Sequence, residues 1–194
     1  MLFKETWDDG LEIRDLSPDE VEKLIKPVHG EIFNSSQPRT IPNKFYSTSE
    51  TESLETLASK LGGFELSLGA FYKGLFAGWH FGNQTSKDTY FMRNSAVLPE
   101  FRRLRIYERL LHSTLRIAKD VGFQRVTSNH HPSNTAVLIA KLKVGFWISG
   151  MTIDDRFGTL VNLVWFPNEV RRDAFEYRIG YKFPSDAVKK LLER

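Results

Sequence analysis

No cysteine occurs among the 194 residues, which removes disulfides, thiolate nucleophiles and Cys-ligated zinc from consideration. Uninterrupted apolar runs are too short to span a bilayer, and Met1-Leu2-Phe3-Lys4-Glu5 lacks the apolar stretch that follows a signal peptide's basic start. A cytoplasmic protein without a membrane partner is expected. Charge of one sign is scarce as well: the net value is only +3, and the interleaved aromatic and basic pattern of single-strand binders is missing, so no nucleic-acid partner is expected. There is no internal repeat and no low-complexity tract. What the chain does have is a 41% hydrophobic content, enough to bury one core at this length.

The charge is unevenly placed. Residues 1–60 hold seven Lys/Arg against twelve Asp/Glu, while the basic excess is densest from Arg102 to Arg125. An anionic partner suits that stretch, although a solvated helix face explains it equally well. The acidity of the first sixty residues hints at a cationic amine elsewhere on the molecule.

Leu11 to Asp15 alternates like a half-buried strand, and Ser17-Pro18-Asp19-Glu20 supplies an N-cap, a proline at N1 and a glutamate at N3. A helix is predicted from Pro18 to Phe33, a loop over 34–48, and a second helix over 50–61 capped by Ser49 and Glu52. Strands follow at Leu66–Tyr72, Leu75–Phe81 and Tyr90–Leu98. Apolar residues recur at helical spacing from Arg103 to Val121, where Gly122 ends the run. A strand over Arg125–Asn129, a helix over Asn134–Val144 and a hairpin of Phe146–Ile153 with Thr159–Phe166 complete the pattern. A strand, helix, strand passage makes 90–98 and 125–129 parallel. The fold class is α/β: a mixed, mostly antiparallel sheet of about seven strands with one central parallel pair, flanked by helices. Residues 1–167 form one domain, and 168–194 a helical extension docked through Val170, Ala174, Phe175 and Ile179.

Where the strand at Val97 turns through Pro99 into a basic helix, unpaired helix-start N–H groups form an anion site suited to a pyrophosphate. An ordinary strand-to-helix turn is the alternative. These residues resemble motif A of the GCN5-related N-acetyltransferases (GNAT), in which a strand runs into valine, one residue, proline and an Arg/Gln-x-x-Gly-x-Gly/Ala loop before a long helix. Asn134, followed eleven residues later by Gly145-Phe146, resembles their motif B. Together the motifs cover roughly residues 11–166.

The resemblance implies the acyl-CoA N-acyltransferase fold, acetyl-CoA as co-substrate, no metal, and a small-molecule or peptide amine as acceptor. It implies that Arg102 and the amides of Arg103, Leu104, Arg105, Ile106 and Tyr107 cradle the pyrophosphate, that the Val97 backbone pairs with pantetheine, and that Asn134 touches the pantetheine arm. Arg105 and Tyr107 stand where the family has small residues: Arg105 either points outward or blocks the cradle, and the Tyr107 ring turns into the core. The family's glutamate base has no counterpart in Tyr90 to Ser95, and Lys141 replaces its tyrosine acid.

His130 and His131 remain as bases, only one of which faces the cleft because neighbours on an extended segment alternate. Both also read as turn or capping residues before Pro132. Lys141 and Lys143 read as solvated helix residues, and Lys141 can protonate a thiolate only if it is aimed into the cleft. The activity expected is acetyl transfer to a primary amine, with a non-catalytic CoA-binding domain as the alternative. Residues 34–63 and the Asp154 to Gly158 turn are expected to shape the acceptor pocket, and the terminal helices leave monomer and homodimer both open.

Overall fold

A computed structural model describes residues 3–34, 47–61 and 63–193. The predicted loop falls mostly on residues outside these. One mixed sheet of eight strands runs in the order β1-β2-β3-β4-β5-β6-β8-β7. Its members are β1 Lys4–Thr6, β2 Leu11–Asp15, β3 Glu65–Tyr72, β4 Leu75–Ser86, β5 Thr89–Val97, β6 Arg125–His130, β7 Trp147–Asp154 and β8 Gly158–Trp165. Every pairing is antiparallel except β5 with β6. The expected parallel pair is therefore present, and β1 adds the strand that the periodicity did not reveal.

The capping box at Ser17 and Glu20 forms with Pro18 at N1, opening α1, Pro18–Glu20. The helix continues through a π-helical Val21–Ile25 into α2, Lys26–Asn34. The next helix, α3, spans Thr48–Leu61, and its capping pair is Ser47 with Glu50 rather than Ser49 with Glu52. Then come α4, Ile106–Val121; α5, Thr135–Lys143; α6, Glu169–Arg178; and α7, Asp186–Leu192. Gly122 ends α4 at φ 106°, a left-handed stop that favours glycine.

Side chains divide the sheet into two packed faces. On one, Leu68, Ala70, Tyr90, Met92, Val126 and Leu163 meet Ile106, Leu110, Leu111 and Leu115 of α4. On the other, Trp79 and Ala96 meet Leu16 and Ile25, with Val28, Ile32 and Phe33 alongside. The basic face of α4 is partly neutralised by β1 and its turn: Arg109 binds Asp9 at 2.7 Å and Arg116 binds Glu5 at 2.8 Å. The C-terminal helices pack through Phe175 on Phe166, Arg171 on Asp88 and the buried Val188. Val170 and Ala174 are half-buried. Ile179, expected on the docking face, lies beyond the end of α6 and is 47% exposed. No helix among the described residues is long and apolar enough to cross a membrane.

Candidate active site

From Val97 the chain passes through a 3-10 turn, Pro99–Phe101, and begins α4 only at Ile106. The helix therefore starts three residues later than its apolar spacing suggests, and Leu104 lies outside it, 38% exposed. Two non-glycine residues cause the delay: Arg103 has φ 68° and Arg105 φ 58°. Left-handed backbone is costly for such residues. A glycine at Arg105 would hold this conformation without cost. No side chain caps α4, so the N–H groups of Ile106, Tyr107 and Glu108 have no intrahelical acceptor.

The Arg105 side chain turns away from these amides. Its Nε and Nη2 donate to Glu108 at 2.9 and 3.0 Å, and it is 74% exposed. Of the two placements expected for it, the structure has the outward one. Arg102 and Arg103 are exposed and form no ion pair among the described residues. Tyr107 packs its ring on the core, where burial pushes its hydroxyl pKa up.

β5 and β6 pair only through Thr89 with Arg125, Tyr90 with Val126 and Phe91 with Thr127, and then diverge. A bulge in β5 at Arg93 follows directly, since Gly82 opposes Met92 while Phe81 opposes Asn94. On the α4 side of this splay lies a buried polar cluster. His80 Nδ1 is 2.7 Å from Ser95 Oγ and its Nε2 is 2.7 Å from Tyr90 Oη. A Cβ at Gly82 would collide with Tyr90 Oη, so glycine there makes room for the ring. His130 Nε2 lies 3.1 Å from Ser128 Oγ. Lys141 enters from α5, 1% exposed, with Nζ 3.4 Å from Met92 Sδ and 5.1 Å from the centre of the Phe146 ring.

This placement corrects the reading of Lys141 as a solvated helix residue; Lys143 is the exposed one of the two. Burial lowers the Lys141 ammonium to about 7. His80 and His130 are lowered to about 3, first by burial and then by the Lys141 charge. Both histidines are thus neutral at physiological pH, and His130 is a weaker proton acceptor than an ordinary histidine. His131 does not join the cluster. Its Nδ1 accepts from the Ser133 N–H at 3.2 Å and lies 2.7 Å from Ser133 Oγ, a local turn contact. Asn134 is the N-cap of α5, half-buried, and makes no side-chain cap hydrogen bond. Val97 is half-buried at the end of β5.

His80 and Met92 carried no local motif. Their place in the cluster follows from strand register, which sequence spacing alone does not fix. On the opposite face of the sheet a cleft of about 310 Å³ begins at the same β5 bulge, with Glu65, Ser67, Phe81, Asn83, Arg93 and Asn94 among its lining.

No family model matches the chain, and no curated protein does. Solved structures do. The ribosomal-protein-S5-alanine acetyltransferase of Vibrio fischeri superposes with a TM-score of 0.64 at 9% identity, over 86% of this chain and 98% of that one. A GCN5-related N-acetyltransferase from Kribbella flavida gives 0.62 at 16% identity, over 82% and 99%. The chain has the GNAT fold. The spermidine N-acetyltransferase of Vibrio cholerae, solved with CoA and spermine, is a further match at TM-score 0.61 and 12% identity, over 82% and 96%. At these identities the likeness is one of fold. Within this fold α5 and β5, separated in sequence, meet at the splay: Lys141 lies against Met92.

Proposed function

We propose that this protein is an acyl-CoA-dependent N-acyltransferase that moves an acetyl group to a primary amine. The observation that carries the reading is the turn before α4. Arg103 and Arg105 hold left-handed backbone there, α4 has no side-chain cap, and the Arg105 side chain points outward. An uncapped helix start with open amides and two unpaired arginines suits a pyrophosphate. The residues present therefore fit CoA: Arg102 and Arg103 meet the phosphates from solvent, the amides from Arg103 to Tyr107 line the cradle, and the free edge of β5 toward Val97 takes the pantetheine amides. Asn134, whose side chain is not spent on capping, faces the same arm. The acceptor amine enters from the sheet face opposite α4. Residues 168–194 act as an extension that covers the β8 end of the domain.

Bound acyl-CoA supplies an activated thioester. Lys141 Nζ carries the proton that the leaving thiolate needs. With its pKa near 7, the ammonium is populated at neutral pH, and its proton passes downhill to a thiolate of ordinary pKa, about 8.5. His130 holds Ser128 at the rim of the splay and presents a neutral ring, which keeps a second buried charge away from Lys141. His131 positions the turn that leads into α5.

The test is thiol release from acetyl-CoA in the presence of a panel of amines, beside a thermal shift with CoA alone. Turnover with a midpoint shift supports the reading. A shift without turnover across amine classes supports a CoA-binding regulatory domain instead.

A further inference from the structure

The cleft opposite α4 has an ordered polarity that the acyl-transfer reading does not use. At its splay end stand two donors. The β5 bulge turns Arg93 into the cleft, and Asn94 beside it has its Oδ1 occupied by Trp79 Nε1–H at 2.8 Å. That bond fixes the amide orientation, so Asn94 Nδ2–H is the group left for a ligand. Across the neighbouring β4 and on to β3 the cleft offers acceptors. Asn83 donates its Nδ2–H to the Gln84 carbonyl at 2.9 Å, leaving Oδ1 free, and Glu65 supplies a carboxylate. Among the described residues neither Arg93 nor Glu65 forms an ion pair. With strands about 4.8 Å apart, the backbones of β3 and β5 are separated by roughly 10 Å across β4. Phe81 forms an apolar wall of the cleft.

We infer that the acceptor is a free α-amino acid with a basic side chain: Arg93 and Asn94 take its α-carboxylate, and Glu65 with Asn83 takes the cationic end. A carboxylate held at the bulge leaves the α-amine at the splay, where the thioester would lie, while the side chain runs across β4 toward Glu65. The planar guanidinium of Arg93 and the fixed Asn94 amide match a carboxylate in a way that a lone cation does not. A polyamine would set a positive charge against Arg93. A peptide extended at its carboxyl end would leave Arg93 without its anion. In the step itself the α-amine nitrogen bonds to the acyl carbon, the C–S bond breaks, the thiolate takes a proton from Lys141, and the amine's proton leaves to solvent. The inference rests on the proposed transfer reaction.

Arginine is the probe, because only its α-amine is readily acylated, and argininamide is its control. Thiol release should be faster with arginine than with argininamide by about tenfold or more in kcat/KM. Arg93→Ala should bring arginine down to about the amide's level, so that the ratio of the two falls toward one, whereas Glu65→Gln should reduce the preference for arginine over alanine. Independently of turnover, arginine added to the CoA complex should raise its melting midpoint, and argininamide should do so less. Equal use of arginine and argininamide, or turnover of polyamines but not of amino acids, would overturn the assignment while leaving the CoA reading intact. Absence of any CoA binding would instead overturn the reading beneath it.

Discussion

Lys141→Met makes the sharpest test of the buried cluster. The lysine is 1% exposed, its nearest polar contact is a thioether, and no carboxylate among the described residues pairs with it. Its ammonium is lowered from 10.5 to about 7 in the folded state. The unfolded chain therefore binds more protons than the folded one between about pH 7 and 10.5, and stability rises with pH through that window. Below about pH 7 the full penalty is present. One pKa unit is worth about 1.4 kcal/mol, so the penalty is on the order of 4–5 kcal/mol. Methionine keeps the volume, needs no charge, and packs against Met92 and Phe146. At pH 6 the variant should be more stable by about 2–5 kcal/mol, which corresponds to roughly 5–15 °C for a domain of this size. The gain should shrink as the pH approaches 10. Urea unfolding followed by tryptophan fluorescence at pH 6, 8 and 10 measures both quantities. A destabilised variant at pH 6, or a difference that does not change with pH, refutes the reasoning. If Lys141 is also the proton donor, the same variant loses turnover by about a hundredfold while still binding CoA.

Arg105→Gly should raise stability by about 0.5–1 kcal/mol, because relief of left-handed strain exceeds the loss of an exposed Arg105–Glu108 pair; since the side chain points outward, CoA affinity should change by less than threefold, whereas Arg102→Ala weakens CoA most at low salt. Calorimetric titration of both variants decides this. Protonation of His80 and His130, lowered to about 3, is resisted by the folded state, so stability should fall as the pH drops from about 6.5 toward 3. His80→Phe should weaken that acid dependence while costing about 1–3 kcal/mol near neutrality through the unpaired Tyr90 hydroxyl; an unchanged acid midpoint contradicts the assignment. Truncation after Phe166 removes the Phe175 contact, the Arg171–Asp88 pair and buried Val188. Lower solubility or melting temperature is expected, and no change in either would make 168–194 an independent tail.

Most of the fold was legible because local signals agreed with one another. Ser17 to Glu20 forms the capping box that its spacing promises, and strand, helix, strand around α4 yields the parallel pair. The eleven-residue step from Asn134 to Gly145 accommodates α5 and its end. Failures arose where distant partners decide. Lys4-Glu5-Thr6 has no apolar pattern and is a strand only through β2, with Glu5 anchored on Ser113 and Arg116 of α4. Ser47 and Ser49 each precede a glutamate by three residues, and local rules do not choose between overlapping frames. The helical phase of α5 was misjudged for a related reason. It exposes Ile139 and Leu142 and buries Lys141, the reverse of what amphipathic spacing predicts, because the splay between β5 and β6 supplies the space. Of the candidate site, the turn that precedes α4 could be read from the motif. The orientation of Arg105 and the His80 cluster required the structure.

The turn from Arg102 to Tyr107 is proposed to bind the pyrophosphate of CoA. Its most direct test is the melting midpoint of the wild-type protein with and without CoA at up to millimolar concentration. A ligand that binds only the folded state stabilises it by about 2.7 kcal/mol at one hundred times its dissociation constant, or roughly 5–10 °C here. Such a rise is expected, and a smaller one with pantetheine, which lacks the phosphates of CoA. No shift with CoA or acetyl-CoA at millimolar ligand would contradict it and leave the GNAT fold without its cofactor.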